Sequence, residues 1–334
     1  MKKGVLLINL GTPDSPNVRD VRRYLTQFLN DPYVIDINPL GRFFLVNCII
    51  VPFRAPKSAK LYGKIWTAEG SPLLVHGIKL KEQLQQQLGE GYLVELGMRY
   101  QNPSIESAFL KLKRAGVSEV TVIPLYPQYA TSSTESTIQA VNRVSKKHGF
   151  TRLRIIDKFY QDPGFLDALC EVAKKYAISD YDHILFSYHG LPERQVKKVY
   201  PLHCRINDAC CAVISGQNEL CYRAACYETT RQMVRRLGIP EGKYTTAFQS
   251  RLDDKWLKPY SDKVVEEKAK EGMKKMLVFS PAFVADCLET IYEIGTEYAE
   301  IFHEHGGEKL QMVESLNTHP KWVEALKKMV LGSK

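Results

Sequence analysis

Asp182-His183-Ile184-Leu185-Phe186-Ser187-Tyr188-His189-Gly190-Leu191-Pro192 reads as a strand that runs into a turn and then into a helix. The apolar run Ile184-Leu185-Phe186 is short and unbroken, the pattern of a buried strand. Gly190 permits a tight turn and Pro192 suits the opening of a helix. Strand, turn and helix in that order form one βα unit, so the stretch predicts an α/β protein with His189 just past a strand end.

Runs of the same kind recur along the chain. Val5-Leu6-Leu7-Ile8, Leu93-Val94-Glu95-Leu96, Glu119-Val120-Thr121-Val122-Ile123 and Leu153-Arg154-Ile155-Ile156 precede it; Tyr244-Thr245-Thr246-Ala247-Phe248, Met276-Leu277-Val278-Phe279 and Leu310-Gln311-Met312-Val313 follow it. Amphipathic stretches lie between them, at 73–88, 104–115, 163–176, 222–237 and 285–302. Their lengths suit right-handed crossovers between parallel strands. Four strands followed by four suggest duplication. The sequence predicts two doubly wound Rossmann-like domains, each with a four-stranded parallel sheet, spanning 1–160 and 161–334.

Composition agrees with a folded protein of that size: 334 residues, 44% hydrophobic and 25% charged. The longest apolar run, 43–53, is interrupted by Asn47 and Pro52 and falls short of the roughly 20 residues that span a bilayer. The start, Met1-Lys2-Lys3-Gly4-Val5-Leu6-Leu7-Ile8, superficially resembles a secretion signal but runs into Gly11-Thr12-Pro13-Asp14 without a small-residue cleavage site. It reads as a first strand, which implies a cytoplasmic protein whose eight cysteines are free thiols or metal ligands. A net charge of +9 favours anionic partners. The basic residues are scattered and form no RNA-binding or zinc-finger pattern, so nucleic acid is not expected. Neither a dinucleotide fingerprint after the first strand nor a phosphate-binding P-loop occurs.

In such sheets ligands sit beyond the carboxyl ends of the strands, which makes the residues after each strand informative. His189 has that position. Its imidazole could accept a proton, ligate a metal, or only hydrogen-bond the turn. The strand at 274–279 leads to Glu289, Glu293 and Glu297, four residues apart and so on one helix face. Like charges at that spacing repel unless a cation compensates them; the row is either a solvated face or, with His189, an oxygen and nitrogen ligand set for a divalent metal such as Fe²⁺. Cys204, Cys210, Cys211, Cys221 and Cys226 crowd into one segment, which suggests zinc, an iron-sulfur cluster, or reduced thiols in an insertion. Between Pro124 and Thr134, aromatic and hydroxyl side chains could floor a flat ligand or cap a helix. The apolar stretch 37–53 is either core or the lip of an apolar pocket or membrane surface.

Asn9-Leu10-Gly11-Thr12-Pro13, Gly70-Ser71-Pro72, Gly97-Met98-Arg99-Tyr100, Tyr126-Pro127-Gln128-Tyr129, Ser187-Tyr188-His189-Gly190-Leu191-Pro192, Phe248-Gln249-Ser250-Arg251 and Asp286-Cys287-Leu288-Glu289-Thr290 together resemble the motifs of the ferrochelatases, in family order. The resemblance implies a porphyrin cleft between two Rossmann-like domains and insertion of Fe²⁺ into protoporphyrin IX, the last step of haem synthesis. It implies His189 and Glu289 as catalytic residues and metal ligands, with Glu293 and Glu297 leading metal in or protons out. Porphyrin contacts would fall on Leu10, Arg54, Ser71, Arg99, Tyr100, Tyr129, Trp256 and Phe283, with Arg54 and Ser71 on the propionates and Trp256 and Phe283 against the macrocycle. A lip at Leu25, Phe28 and Phe43 would admit the substrate at the inner-membrane surface or from the preceding enzyme of the haem pathway. Cys287 stands where animal members have histidine. The cysteine segment resembles one that holds a 2Fe-2S cluster in some bacterial members; five cysteines leave one spare, with Cys210 or Cys211 the expected odd residue. The alternatives are a chelatase for coproporphyrin III or another tetrapyrrole, and a non-catalytic porphyrin carrier.

Overall fold

The computed structural model describes residues 2–332 and divides into two compact units. The first holds 2–126, 131–157 and 323–332, and the second holds 127–130 and 158–322. The chain therefore does not divide once near residue 160. Gln128 donates from Nε2 to Thr229 Oγ1 at 3.0 Å and Phe159 N to Pro127 O at 3.0 Å, which ties the short piece after the third strand into the second unit. At the other end, the Arg154 guanidinium donates to the Val330 and Met329 carbonyls, which returns the last helical turns to the first unit.

In the first unit, β1 (Lys3–Gly11), β2 (Tyr92–Tyr100), β3 (Glu119–Pro124) and β4 (Arg152–Ile155) form a parallel sheet in the order β2-β1-β3-β4. β1 is central, with a neighbour on each side, and Val5 to Ile8 are fully buried, which explains an unbroken apolar run where a half-exposed strand would alternate. At its end Gly11 has φ 117°, and a Cβ there would lie 2.0 Å from Tyr100 O, so only glycine lets the two strand ends approach.

The second unit repeats the arrangement with β5 (His183–His189), β6 (Tyr244–Gln249), β7 (Lys275–Phe279) and β8 (Lys309–Met312) in the order β6-β5-β7-β8, again all parallel. All eight strands lie where the apolar runs put them. In both sheets the chain reverses its direction of growth across the central strand, so the crevice for a ligand opens beside the carboxyl ends of β1 and β3 in one unit and of β5 and β7 in the other.

Helices cover both sheets, and the structure adds several to those expected. Val18–Leu29 packs through Val21, Tyr24, Leu25 and Leu29, an apolar stripe at helical spacing. Leu25 is therefore core, and not part of a lip. The stretch after residue 37 is helical: Pro39–Phe44, then a π-helical turn Leu45–Ile50, then Val51–Ile65. The helix expected from 285 begins at Glu289 instead and is π-helical to Tyr298 before continuing as Ala299–Glu304. Its late start follows from Asp286, whose carboxylate accepts from Ser315 N at 3.0 Å, Asn317 Nδ2 at 2.8 Å and Thr290 Oγ1 at 3.3 Å, fixing the residues before it as a loop. Among the described residues no helix is long and apolar enough to cross a membrane.

His183 opens β5 almost wholly buried, with Nε2 2.9 Å from Thr245 Oγ1. Burial, with a smaller contribution from Lys268, lowers its pKa from the usual 6.5 to about 4. The unfolded chain then binds the extra proton first, so stability is complete above the unfolded pKa and falls as pH drops toward the folded one. We expect unfolding by urea to show a loss of about 2 kcal/mol between about pH 7 and about pH 5 that is absent in His183→Gln.

Candidate functional site

At the end of β5 the His189 backbone carbonyl accepts the Tyr222 hydroxyl at 2.8 Å. The ring Nδ1 lies 2.6 Å from Gly190 O. A carbonyl oxygen only accepts, so Nδ1 carries the proton, and neutral His189 has its lone pair on Nε2. The turn is narrow. Gly190 N donates to Gln249 O at 2.8 Å, and a Cβ on Gly190 would lie 2.7 Å from that oxygen and 3.3 Å from the Trp256 ring. Trp256 is brought here by a bridge to Pro192, and the Phe283 ring centre lies 6.3 Å from that of His189.

The glutamates divide in role. Glu289 begins the π-helical segment; its carbonyl accepts Gln249 Nε2 at 2.9 Å, and its carboxylate accepts the Cys287 thiol. Burial, and then the Glu289 charge, push the Cys287 thiol far up, so it remains a protonated donor. Glu293 is closed in: Ser250 N, Ser250 Oγ, Gln249 Nε2 and the Tyr298 hydroxyl all donate to its carboxylate, at 2.5–3.1 Å. Burial and Glu293 in turn push the Tyr298 hydroxyl up. Glu297 lies one step further along the segment, half-buried. Among the described residues no group of three or more histidine, cysteine and acidic side chains is placed to hold a metal ion.

In the first unit, Leu10 ends β1 with its N–H on Asn9 Oδ1 at 2.8 Å, and Ser71 shares a 2.8 Å hydrogen bond with Thr12 while almost wholly buried. Arg99 and Tyr100 are both turned onto Asp31. The Arg99 guanidinium pairs with Asp31 and donates from Nε to Ser136 Oγ at 2.8 Å; the Tyr100 and Ser136 hydroxyls donate to Asp31 Oδ2 at 2.9 and 2.7 Å. Asp31 and Ser136 escape a reading of the sequence, because neither belongs to a strand end or a residue pattern. Arg54 is exposed and pairs with no carboxylate among the described residues. Tyr129 belongs to the second unit and is buried.

Of the clustered cysteines, Cys210 and Cys211 have sulfurs 3.8 Å apart, and Cys221 hydrogen-bonds with both Cys204 and Cys211. Cys226 instead meets Tyr222, and burial pushes its thiol far up. Arg223 and Arg231 hold the segment through the Asn207 and Cys211 carbonyls at 3.0 and 3.1 Å. A 2Fe-2S cluster needs four thiolates around two irons; among the described residues no group of three or more such side chains is placed to hold a metal ion.

A family model described as ferrochelatase matches residues 2–334. A ferrochelatase of Coxiella burnetii is 47% identical over 99% of this chain and 94% of its own length. One of Pseudomonas fluorescens is 47% identical over 96% and 95%, and one of Legionella pneumophila 42% identical over 99% of both. Among solved structures, SirB from Bacillus subtilis with Fe³⁺ superposes with a TM-score of 0.55 at 12% identity, covering 99% of this chain and 95% of that one, which speaks for the fold alone. Two parallel sheets of the same strand order, the histidine turn, and relatives matched from end to end agree: the chain belongs to the ferrochelatase family.

Proposed function

We propose that His189 and Glu289 carry the metal-insertion step, in which Fe²⁺ replaces the two pyrrole protons of protoporphyrin IX to give haem and two released protons. The chain's activity is that of its family, a lyase with porphyrin and ferrous iron as substrates. The His189 ring carries the residue-level reading. With Nδ1–H held by the Gly190 carbonyl, Nε2 has a lone pair fixed in direction, which is what proton abstraction requires of a base. Glu289 supplies a carboxylate for the metal or the second proton. Glu293, with four donors on its carboxylate, anchors the segment that carries Glu289, while Glu297 continues the row by which metal enters or protons leave.

Leu10, Ser71, Arg99, Tyr100, Tyr129, Trp256 and Phe283 are the proposed porphyrin contacts. Arg54, a cation without a carboxylate partner, suits a propionate. Leu40, Phe43, Phe44, Ile49 and Phe53 each expose more than half of their surface on neighbouring turns, an apolar lip for a poorly soluble substrate at an inner-membrane surface or from the enzyme that precedes this one.

In an anaerobic assay that follows loss of porphyrin fluorescence with Fe²⁺, His189→Ala should slow insertion by roughly 10²–10⁴-fold while porphyrin still binds. Protoporphyrin IX and coproporphyrin III run side by side decide the preferred ring, and unchanged turnover in His189→Ala would remove the assigned base. Glu289 and Glu293 should separate by readout. Glu289→Gln should lower turnover with little change in urea unfolding, whereas Glu293→Ala should cost about 2–4 kcal/mol of stability by stranding its donors.

A further inference from the structure

Gln249, the last residue of β6, is the register partner of His189, the last of β5. Its side chain is almost wholly buried, and a primary amide can be placed in two senses, with oxygen and nitrogen exchanged. Its surroundings permit one. On one side stand oxygens that accept, the Glu289 carbonyl at 2.9 Å and the Glu293 carboxylate at 3.1 Å. On the other is the Ser187 hydroxyl at 2.8 Å. The nitrogen must face the glutamates and the oxygen the serine.

Ser187 uses its one proton in that bond. Its 2.8 Å contact with Ser261 Oγ is therefore an acceptance, with Ser261 as the donor. The two serines are fully buried, so the chain of hydrogen bonds runs one way, from Ser261 through Ser187 and Gln249 to Glu289 and Glu293, each member polarising the next. Ser250 adds to it. Its φ of 61° is a left-handed conformation that costs a residue with a Cβ. In that conformation its N–H, at 2.8 Å, and its hydroxyl both donate to the Glu293 carboxylate that the Gln249 amide also meets. Strain of this kind persists where the surroundings over-determine it.

We propose that Gln249 is a positioning residue for metal insertion: its amide, with its sense set by Ser187 and Ser261, holds the Glu289 end of the π-helical segment in place beside His189. The proposal rests on the assignment of His189 and Glu289 to the insertion step. Being buried, Gln249 meets no substrate and acts through Glu289. Displacing a reacting group by about 1 Å can cost roughly 10²-fold in rate, and the proposed porphyrin contacts do not include Gln249. The loss on removing the amide therefore falls on kcat and leaves KM alone.

The test is steady-state kinetics of the whole chain in the anaerobic insertion assay. Gln249→Met keeps the length of the side chain and removes both ends of the amide; kcat should fall roughly 10–100-fold with the porphyrin KM unchanged. Ser187→Ala leaves Gln249 in place with its amide held at one end only. It should lower kcat about fivefold, again at constant KM, and it decides the matter if Gln249→Met does not fold. A residue that acts through Glu289 has little left to do once that carboxylate is gone, so either variant combined with Glu289→Gln should turn over within about threefold of Glu289→Gln alone. A purely structural role would lower the urea midpoint and leave the kcat of the folded enzyme unaltered. Unaltered kcat in either folded variant, or losses that multiply with that of Glu289→Gln, overturns the proposal. His189→Ala run alongside separates the two readings: full turnover there removes the base, whereas slow turnover there with full turnover in the Gln249 and Ser187 variants removes the positioning alone.

Discussion

The second unit depends on Gln249. Its backbone oxygen accepts the Gly190 N–H, its side-chain oxygen accepts the Ser187 hydroxyl at 2.8 Å, and its side-chain nitrogen divides between the Glu289 carbonyl and the Glu293 carboxylate. One buried residue at the end of β6 thus sets the histidine turn of β5 against the start of the π-helical segment. The glutamates cannot slide relative to His189 without breaking a bond at Gln249. π-Helical segments are rare and concentrate at functional sites, and here ten residues of one are fastened at two points, Glu289 O and Glu293.

The strands were legible because the physics that makes them is local. β1 and β5 are central and buried on both faces, so their sequences are unbroken apolar runs. β4 and β8 are edge strands of four residues with partly exposed side chains, and only their spacing between helices marks them in the sequence. Position 160 was less informative than it looked, because the exchanges between units are made by Gln128 and Arg154, whose partners lie 101 and more than 170 residues away. Val18–Leu29 has a readable stripe at 21, 24, 25 and 29, which puts Leu25 in the core and not on a lip.

The site was legible in proportion to how far it depends on strand ends. His189 and Gly190 announce themselves by position. Glu293 does not announce its role, since sequence spacing puts it in line with Glu289 and Glu297, and only the tertiary fold brings Ser250, Gln249 and Tyr298 to its carboxylate. Asp31 is the sharper case. It meets Arg99, Tyr100 and Ser136 across 68, 69 and 105 residues, and a lone aspartate at a helix end carries no mark of that.

Asp31 and Glu293 also explain why the two units differ electrostatically despite a shared strand order. Each is a carboxylate ringed by donors at the carboxyl edge of its sheet. Asp31 has a guanidinium among its donors, so its charge is compensated by Arg99, and Arg54 is a second cation on that unit. All four donors to Glu293 are neutral groups, which stabilise the carboxylate by hydrogen bonding and leave its negative charge in place. Glu289 and Glu297 add to it along the same segment. The donors on the first unit's carboxylate therefore include a positive charge and those on the second unit's do not, so one repeated strand order carries two different electrostatic environments.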